Sequence, residues 1–223
     1  MAGAGAPNMQ VIDCKMISHR GSSVIVESFS SGGQISFQRC VLARNAGDGL
    51  LKTGSASLSI TNCLIYAQTN HGVRVTAGTV SIGNCTIATN AWGVTNSAGT
   101  VAVKNSIIWG NTNGGLSGVT ATYTDCQSPG IAGTGNISLD PLFVDTTYYH
   151  EKSKLGNAVG GYFSGGSWER SSSSSPCIDA GDPADSWANE PEPNSKRRNM
   201  GAYGNTSVAS ASVAAKGSVC IVY

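Results

Sequence analysis

Arg74, with Lys52 and His71 nearby, is the best candidate base in this chain. Such a base suits β-elimination, which also needs a cation, often calcium, to neutralise the substrate carboxylate. Asp48 is the only acidic residue between Ser28 and Thr124, so the paired carboxylates of glycoside hydrolysis are missing from this stretch. No carboxylate is expected on the same face as Arg74. The plain alternative is that Arg74 is an outward, solvated residue. A hydrolytic triad is not expected either, because GxSxG is absent and His19, His71 and His150 lie in unrelated contexts.

Acidic residues concentrate after position 139. Asp179, Asp182 and Asp185, with backbone carbonyls, could form an oxygen-ligand calcium site. The competing reading is a salt-bridged cap in which these carboxylates meet Lys196, Arg197 and Arg198. A twelve-residue glycine-centred loop is missing, which excludes an EF-hand. Calcium is therefore the one cofactor considered, and the default is none. Trp92, at a corner between Asn90 and Gly93, and Trp109, before Gly110, are candidate sugar-stacking platforms.

These side chains can work only if the backbone brings distant positions together, and a repeat says how it does. Ile35 to Cys40, Leu58 to Cys63, Val80 to Cys85, Val101 to Ser106 and Ala121 to Cys126 are variants of one phrase. Their last residues are separated by steps of 23, 22, 21 and 20 residues. Such a period marks a solenoid whose units bury their apolar face by stacking on one another. Leu58 and Ile60 alternate with Ser59 and Thr61, as in a half-buried strand. The alternation changes phase at Asn62, Asn84 and Asn105, and Asn tolerates a left-handed bend. A column of these Asn side chains, bonding backbone groups of the bend, is expected beside a column of Cys40, Cys63, Cys85 and Cys126. Second corners fall at Asn45 to Gly49, Asn70 to Gly72, Asn90 to Gly93 and Asn111 to Gly115. The fold class is all-β: a right-handed parallel β-helix with three short strands per coil of about 20–25 residues and an irregular C-terminal cap. Leucine-rich and ankyrin-like alternatives fail, since no segment carries an apolar 3.6-residue period.

The expected layout is one structural domain, with coils over residues 1–145 and a cap over 146–223 ending in a strand at Ser218 to Tyr223. Twenty-nine glycines and 12% charged residues among 223 suit short strands and tight turns. A net charge of +1 gives no footprint for nucleic acid or an anionic membrane. No apolar run is long enough to span a bilayer. Residues 1–7 lack the basic start and apolar core of a signal peptide. Either an export signal has been removed, or the chain is the C-terminal part of a longer β-helix. The opening coil has no helix to cover it, so self-association through that end, even into filaments, is a further expectation. Of the seven cysteines, Cys14, Cys40, Cys63, Cys85 and Cys126 are read as buried thiols, with disulfides between adjacent rungs as the alternative. Cys177 and Cys220 lie outside the column and could pair.

The phrases at Asp140–Asp145 with Tyr149–Ser153, Ser175–Pro183, Asn189–Asn194 and Asn199–Thr206 are similar to the C-terminal end of secreted bacterial right-handed β-helix-repeat proteins. Those in turn resemble pectate-lyase-like and polymorphic outer-membrane or adhesin-type solenoids. The resemblance implies the fold, export and a carbohydrate or cell-surface context, and no particular reaction. The expected function is a secreted or surface-exposed scaffold without catalysis, serving structural, adhesive or carbohydrate-binding ends. The alternative is a polysaccharide lyase acting by β-elimination on a uronate-containing polymer, with part of its site expected upstream of this chain.

Overall fold

A computed structural model of the chain describes residues 8–26 and 33–213. Three parallel sheets of six, six and five strands wind around one apolar interior. The first holds Asn8–Ile12, Gln34–Gln38, Ser57–Thr61, Thr79–Gly83, Thr100–Lys104 and Thr120–Thr122. The second holds Lys15–Ile17, Val41–Ala43, Leu64–Tyr66, Thr86–Ala88, Ile107–Trp109 and Asp125–Cys126. Val24–Val26, Leu50–Lys52, His71–Val75, Trp92–Asn96 and Gly114–Ser117 make the third. This is the parallel β-helix that the repeat predicts.

In-register stacking follows from the residue types. Ile35, Leu58, Val80 and Val101 lie one above another, as do Phe37, Ile60, Ile82 and Val103. All eight are buried in one continuous core. Each strand alone has one apolar face too small to hold it, and only the next rung covers that face.

Two columns of left-handed residues turn the corners. Asp13, Arg39, Asn62, Asn84, Asn105 and Tyr123 form the first, with φ near +50°. Beside them lies a column of Cys14, Cys40, Cys63, Cys85, Ser106 and Thr124, in which each thiol or hydroxyl donates to the carbonyl two residues back. Cys126 is not part of it. The last corner comes two residues earlier than the repeat phrase suggests, so Cys126 pairs with Ile108 on the second sheet. All the described cysteines are free thiols. Burial pushes the Cys63 thiol well above its usual range, which keeps the interior of the column neutral. Cys220 and the strand expected at Ser218 to Tyr223 lie outside the described residues.

The second corner carries the polar ladder. Asn45, Gln68, Asn90 and Asn111 are all buried. The oxygen of each accepts the backbone N–H of the ladder residue one coil earlier, starting from His19 onto Asn45. Their amides donate to the carbonyls of Met16, Leu42, Ile65 and Ile87. Buried backbone groups that the bend would orphan are thus paired.

Asn62, Asn84 and Asn105 do form a column, but their side chains do not bond the bend. Asn62 donates to the carbonyls of Ala202 and Gly204, Asn84 to those of Asn199 and Gly201, and Asn105 to the Asp185 carboxylate. They seat the C-terminal cap. That cap explains why Val41–Ala43, Leu64–Tyr66 and Thr86–Ala88 are buried on both faces. Val41, Leu64, Tyr66 and Ala88 pack outward against Tyr149, Ala202 and Tyr203. The last coil strand ends at Cys126, and only a single parallel bridge, Asp125 to Ile137, continues the stack toward residue 145. A two-stranded hairpin, Asn157–Val159 with Ser167–Glu169, lies within the cap.

The two ends of the coil stack differ. At the C-terminal end, Asn136 accepts the Thr124 N–H and donates to the Ala121 carbonyl, and Ile131 packs on the core. At the N-terminal end Met9, Ile12, Ile17 and Ile25 are all exposed.

Candidate functional site

Stacking brings residues one coil apart into contact, and on the third sheet it assembles a cluster. Asp48 precedes one strand of that sheet and His71 opens the next. The Asp48 carboxylate stands 2.8 Å from His71 Nδ1 and also accepts the His71 backbone N–H. Its other oxygen lies 3.9 Å from the Arg74 guanidinium. Asp48 is buried, whereas the Arg74 side chain is 43% exposed. The expectation that no carboxylate shares this face is therefore corrected. The 23 residues from Asp48 to His71 are one coil step, so the signal lay in the repeat itself.

Trp92 belongs to the same column. It pairs with His71 on one side and Gly114 on the other. The indole and imidazole rings stack at 6.4 Å and 17°. On the far side the indole rests over Gly114, where an added Cβ would come within 2.9 Å of the ring. Gly114, at φ +151°, leaves the space that lets Trp92 lie along the coil axis. Next to this column a groove of about 410 Å³ runs past His71, Arg74, Thr76, Thr95, Ser97 and Ser117. Arg74, Thr95 and Ser117 occupy successive rungs of one column, so a cation and two hydroxyls recur at the strand spacing of about 4.8 Å.

Lys52 does not join them. It pairs with Val75 and Val26 in the inward column, while Leu51 holds the register of Arg74. Its side chain is buried and its ammonium donates to the Gly54 carbonyl. Burial lowers its pKa below the usual lysine value. Strand alternation has put it on the other side of the sheet from Arg74.

Trp109 lies elsewhere as well. It sits on the second sheet beside Ala88 and packs half-buried against the cluster of Ile107, Cys177 and Met200. The cap occupies the face where a sugar would have to stack. The calcium trio is dispersed too. Asp182 and Asp185 clamp Lys104 at 2.8 and 3.0 Å. The Lys104 ammonium holds the Asp182 carboxyl below the usual carboxylate range. Asp179 keeps a buried carboxylate oxygen with no partner. Among the described residues no three His, Cys, Asp or Glu side chains gather as a metal would require.

The profile of the family described as "Right handed beta helix region" matches residues 23–135, just over half of the chain. The chain belongs to this family. The matched span holds the coils from Val24 onward, the ladder and the Asp48–His71–Arg74–Trp92 cluster, and stops short of the cap. No curated protein and no solved structure matches the chain. Among the described residues no helix is long and apolar enough to cross a membrane.

Proposed function

We propose that this β-helix is a secreted or cell-surface scaffold that binds an acidic glycan along the outer face of its third sheet, without transforming it. Arg74 carries the reading. Its guanidinium is about half exposed and beyond hydrogen-bonding distance of Asp48, so its donors are free for the carboxylate of a uronate residue. It borders a groove lined by hydroxyls and His71, and Trp92 stacks on that imidazole. The surface setting rests on the resemblance of residues 139–206 to exported β-helix proteins.

Affinity electrophoresis tests this. The chain should be retarded in gels containing a polyuronate and run freely in gels containing a neutral glucan. Loss of a charge-assisted contact is worth about 1.5–3 kcal/mol, so Arg74→Ala should weaken retention by at least tenfold. Gly114→Leu, which pushes the indole aside, should weaken it too. Equal mobility in both gels, or an Arg74→Ala chain retained like wild type, would sink the proposal.

The Asp48–His71 contact favours one second reading, a polysaccharide lyase. Asp48 orients the imidazole and leaves Nε2 to take the proton beside a carboxylate held by Arg74. The electron pair left on the deprotonated carbon forms a C=C bond as the glycosidic C–O bond breaks. The departing sugar oxygen takes the proton from the imidazolium. Ultraviolet-absorbing unsaturated product, released from a polyuronate and lost in His71→Ala, supports this reading; silence across a polymer panel removes it.

A further inference from the structure

Glu151 lies under the cap, fully buried, with neither carboxylate oxygen hydrogen-bonded. One carboxylate oxygen faces Gly201, where an added Cβ would lie 2.7 Å from it. The Thr86 hydroxyl accepts the Ala202 N–H and makes no bond to Glu151. The titratable groups facing Glu151 bring no positive charge. They are Cys177, Tyr203 and Glu190 from the cap, with Asp125 behind Cys177 on the second sheet. The adjacent His150 ring is stacked on Tyr203 at 3.9 Å and is held neutral by burial. Cations at the junction of cap and coils are paired with other groups. Lys104 is clamped by Asp182 and Asp185, Arg197 donates to the carbonyls of Ala180 and Gly181, and Arg198 donates to Ser186 and Asn84. Glu190 and Asp179 each bury a further unpartnered carboxylate oxygen. A buried carboxylate without partners is tolerated only in its neutral form.

We propose that the cap is a pH-sensitive lid over the outer face of the second sheet, seated while Glu151 is protonated and loosened when Glu151 ionises. The apolar strip it covers includes Val41, Leu64, Tyr66 and Ala88. Burial raises Glu151 to about 8, Glu190 to about 7 and Asp125 to about 6. All three folded values lie above their unfolded ones, so the unfolded chain releases protons first. The stability they contribute is complete below the unfolded carboxylate range, falls as pH rises, and is gone above about 8. Asp182 has the opposite sign: its pairing with Lys104 fails in strong acid. Seating is therefore firmest in mildly acidic solution.

Cys177 reports on the lid, being buried in the cap, and Cys63 reports on the coils. Each thiol is labelled with iodoacetamide from pH 5.5 to 9, and rates are divided by those of the urea-unfolded chain at the same pH. Between pH 7 and about 8, where Glu151 alone is still being forced to ionise, corrected labelling of Cys177 should rise roughly tenfold per pH unit, then level off, while Cys63 stays protected. Glu151→Gln should flatten that rise. Should the variant not fold, hydrogen exchange of wild type decides. The Met200 and Ala211 amides, bonded within the cap, should lose protection with pH while the Thr86 amide, bonded to the preceding coil, keeps it. Cys177 and Cys63 rising together, Glu151→Gln keeping the wild-type slope, or cap amides as protected at pH 9 as at 6 would each overturn the proposal.

Discussion

Asn90→Ala is expected to lower unfolding free energy by on the order of 3–5 kcal/mol, seen as an earlier midpoint in urea. The Asn90 oxygen accepts the Gln68 N–H at 3.0 Å, and its amide donates to the Ile65 carbonyl at 3.3 Å and to Asn111 at 3.0 Å. Alanine leaves a buried donor and a buried acceptor unpaired, each costing about 1–3 kcal/mol, and adds a small void. No neighbour can supply replacements, because the flanking ladder residues are committed to their own rungs. Asn70→Ala is the control. Asn70 is exposed at the same corner, and its loss should shift stability by no more than about 0.5 kcal/mol. Indistinguishable midpoints for the two variants would mean the ladder does not hold the corner.

Tyr203→Ala should unseat the cap and spare the coils. The Tyr203 ring is fully buried, lies 5.3 Å from Phe163 and stacks on His150, while its hydroxyl donates to the Tyr148 carbonyl. Removing such a ring costs about 3–5 kcal/mol. The cap meets the coils chiefly through this apolar layer and the three Asn side chains, so the loss falls on that interface. Calorimetry should resolve a cap transition lowered by tens of degrees from a coil transition close to wild type. Proteolysis should cut within residues 160–200 first. A single transition, with coil and cap lost together, would show that the two parts unfold as one unit.

The architecture was legible because a solenoid writes its contacts as a period. Stacked positions are one coil apart in sequence, so Leu58 above Ile35 and Val80 above Leu58 follow from the repeat without any long-range inference. The period even held information that a strand-by-strand reading passes over. Asn45, Gln68, Asn90 and Asn111 each fall five residues after Cys40, Cys63, Cys85 and Ser106. Aligning Asn70 instead of Gln68 hides this ladder, although Gln offers the same oxygen and amide one methylene further out.

The site was half legible. Arg74, His71 and Trp92 share a sheet as their spacing requires, and Asp48 could have been added by the same coil step. Trp109 points outward and failed because the cap covers it, whereas Lys52 failed for a geometric reason. In a strand of three residues, a shift of one position reverses the face, and the corner lengths that set this phase vary from coil to coil. The same variation displaced Cys126 by two residues.

What the linear order of residues determined by itself was the coil: alternating apolar residues, left-handed bends and a step near 22 residues leave few other ways to bury this surface. What only the tertiary structure decided was the cap. Its contacts join Asn62 to Ala202 and Asn84 to Asn199, more than a hundred residues apart. No period connects them, and each cap residue binds a different coil. For the same reason the isolation of Glu151 cannot be read from its neighbours in sequence. It depends on the groups that the returning chain sets around it, Glu190, Cys177 and Tyr203 among them.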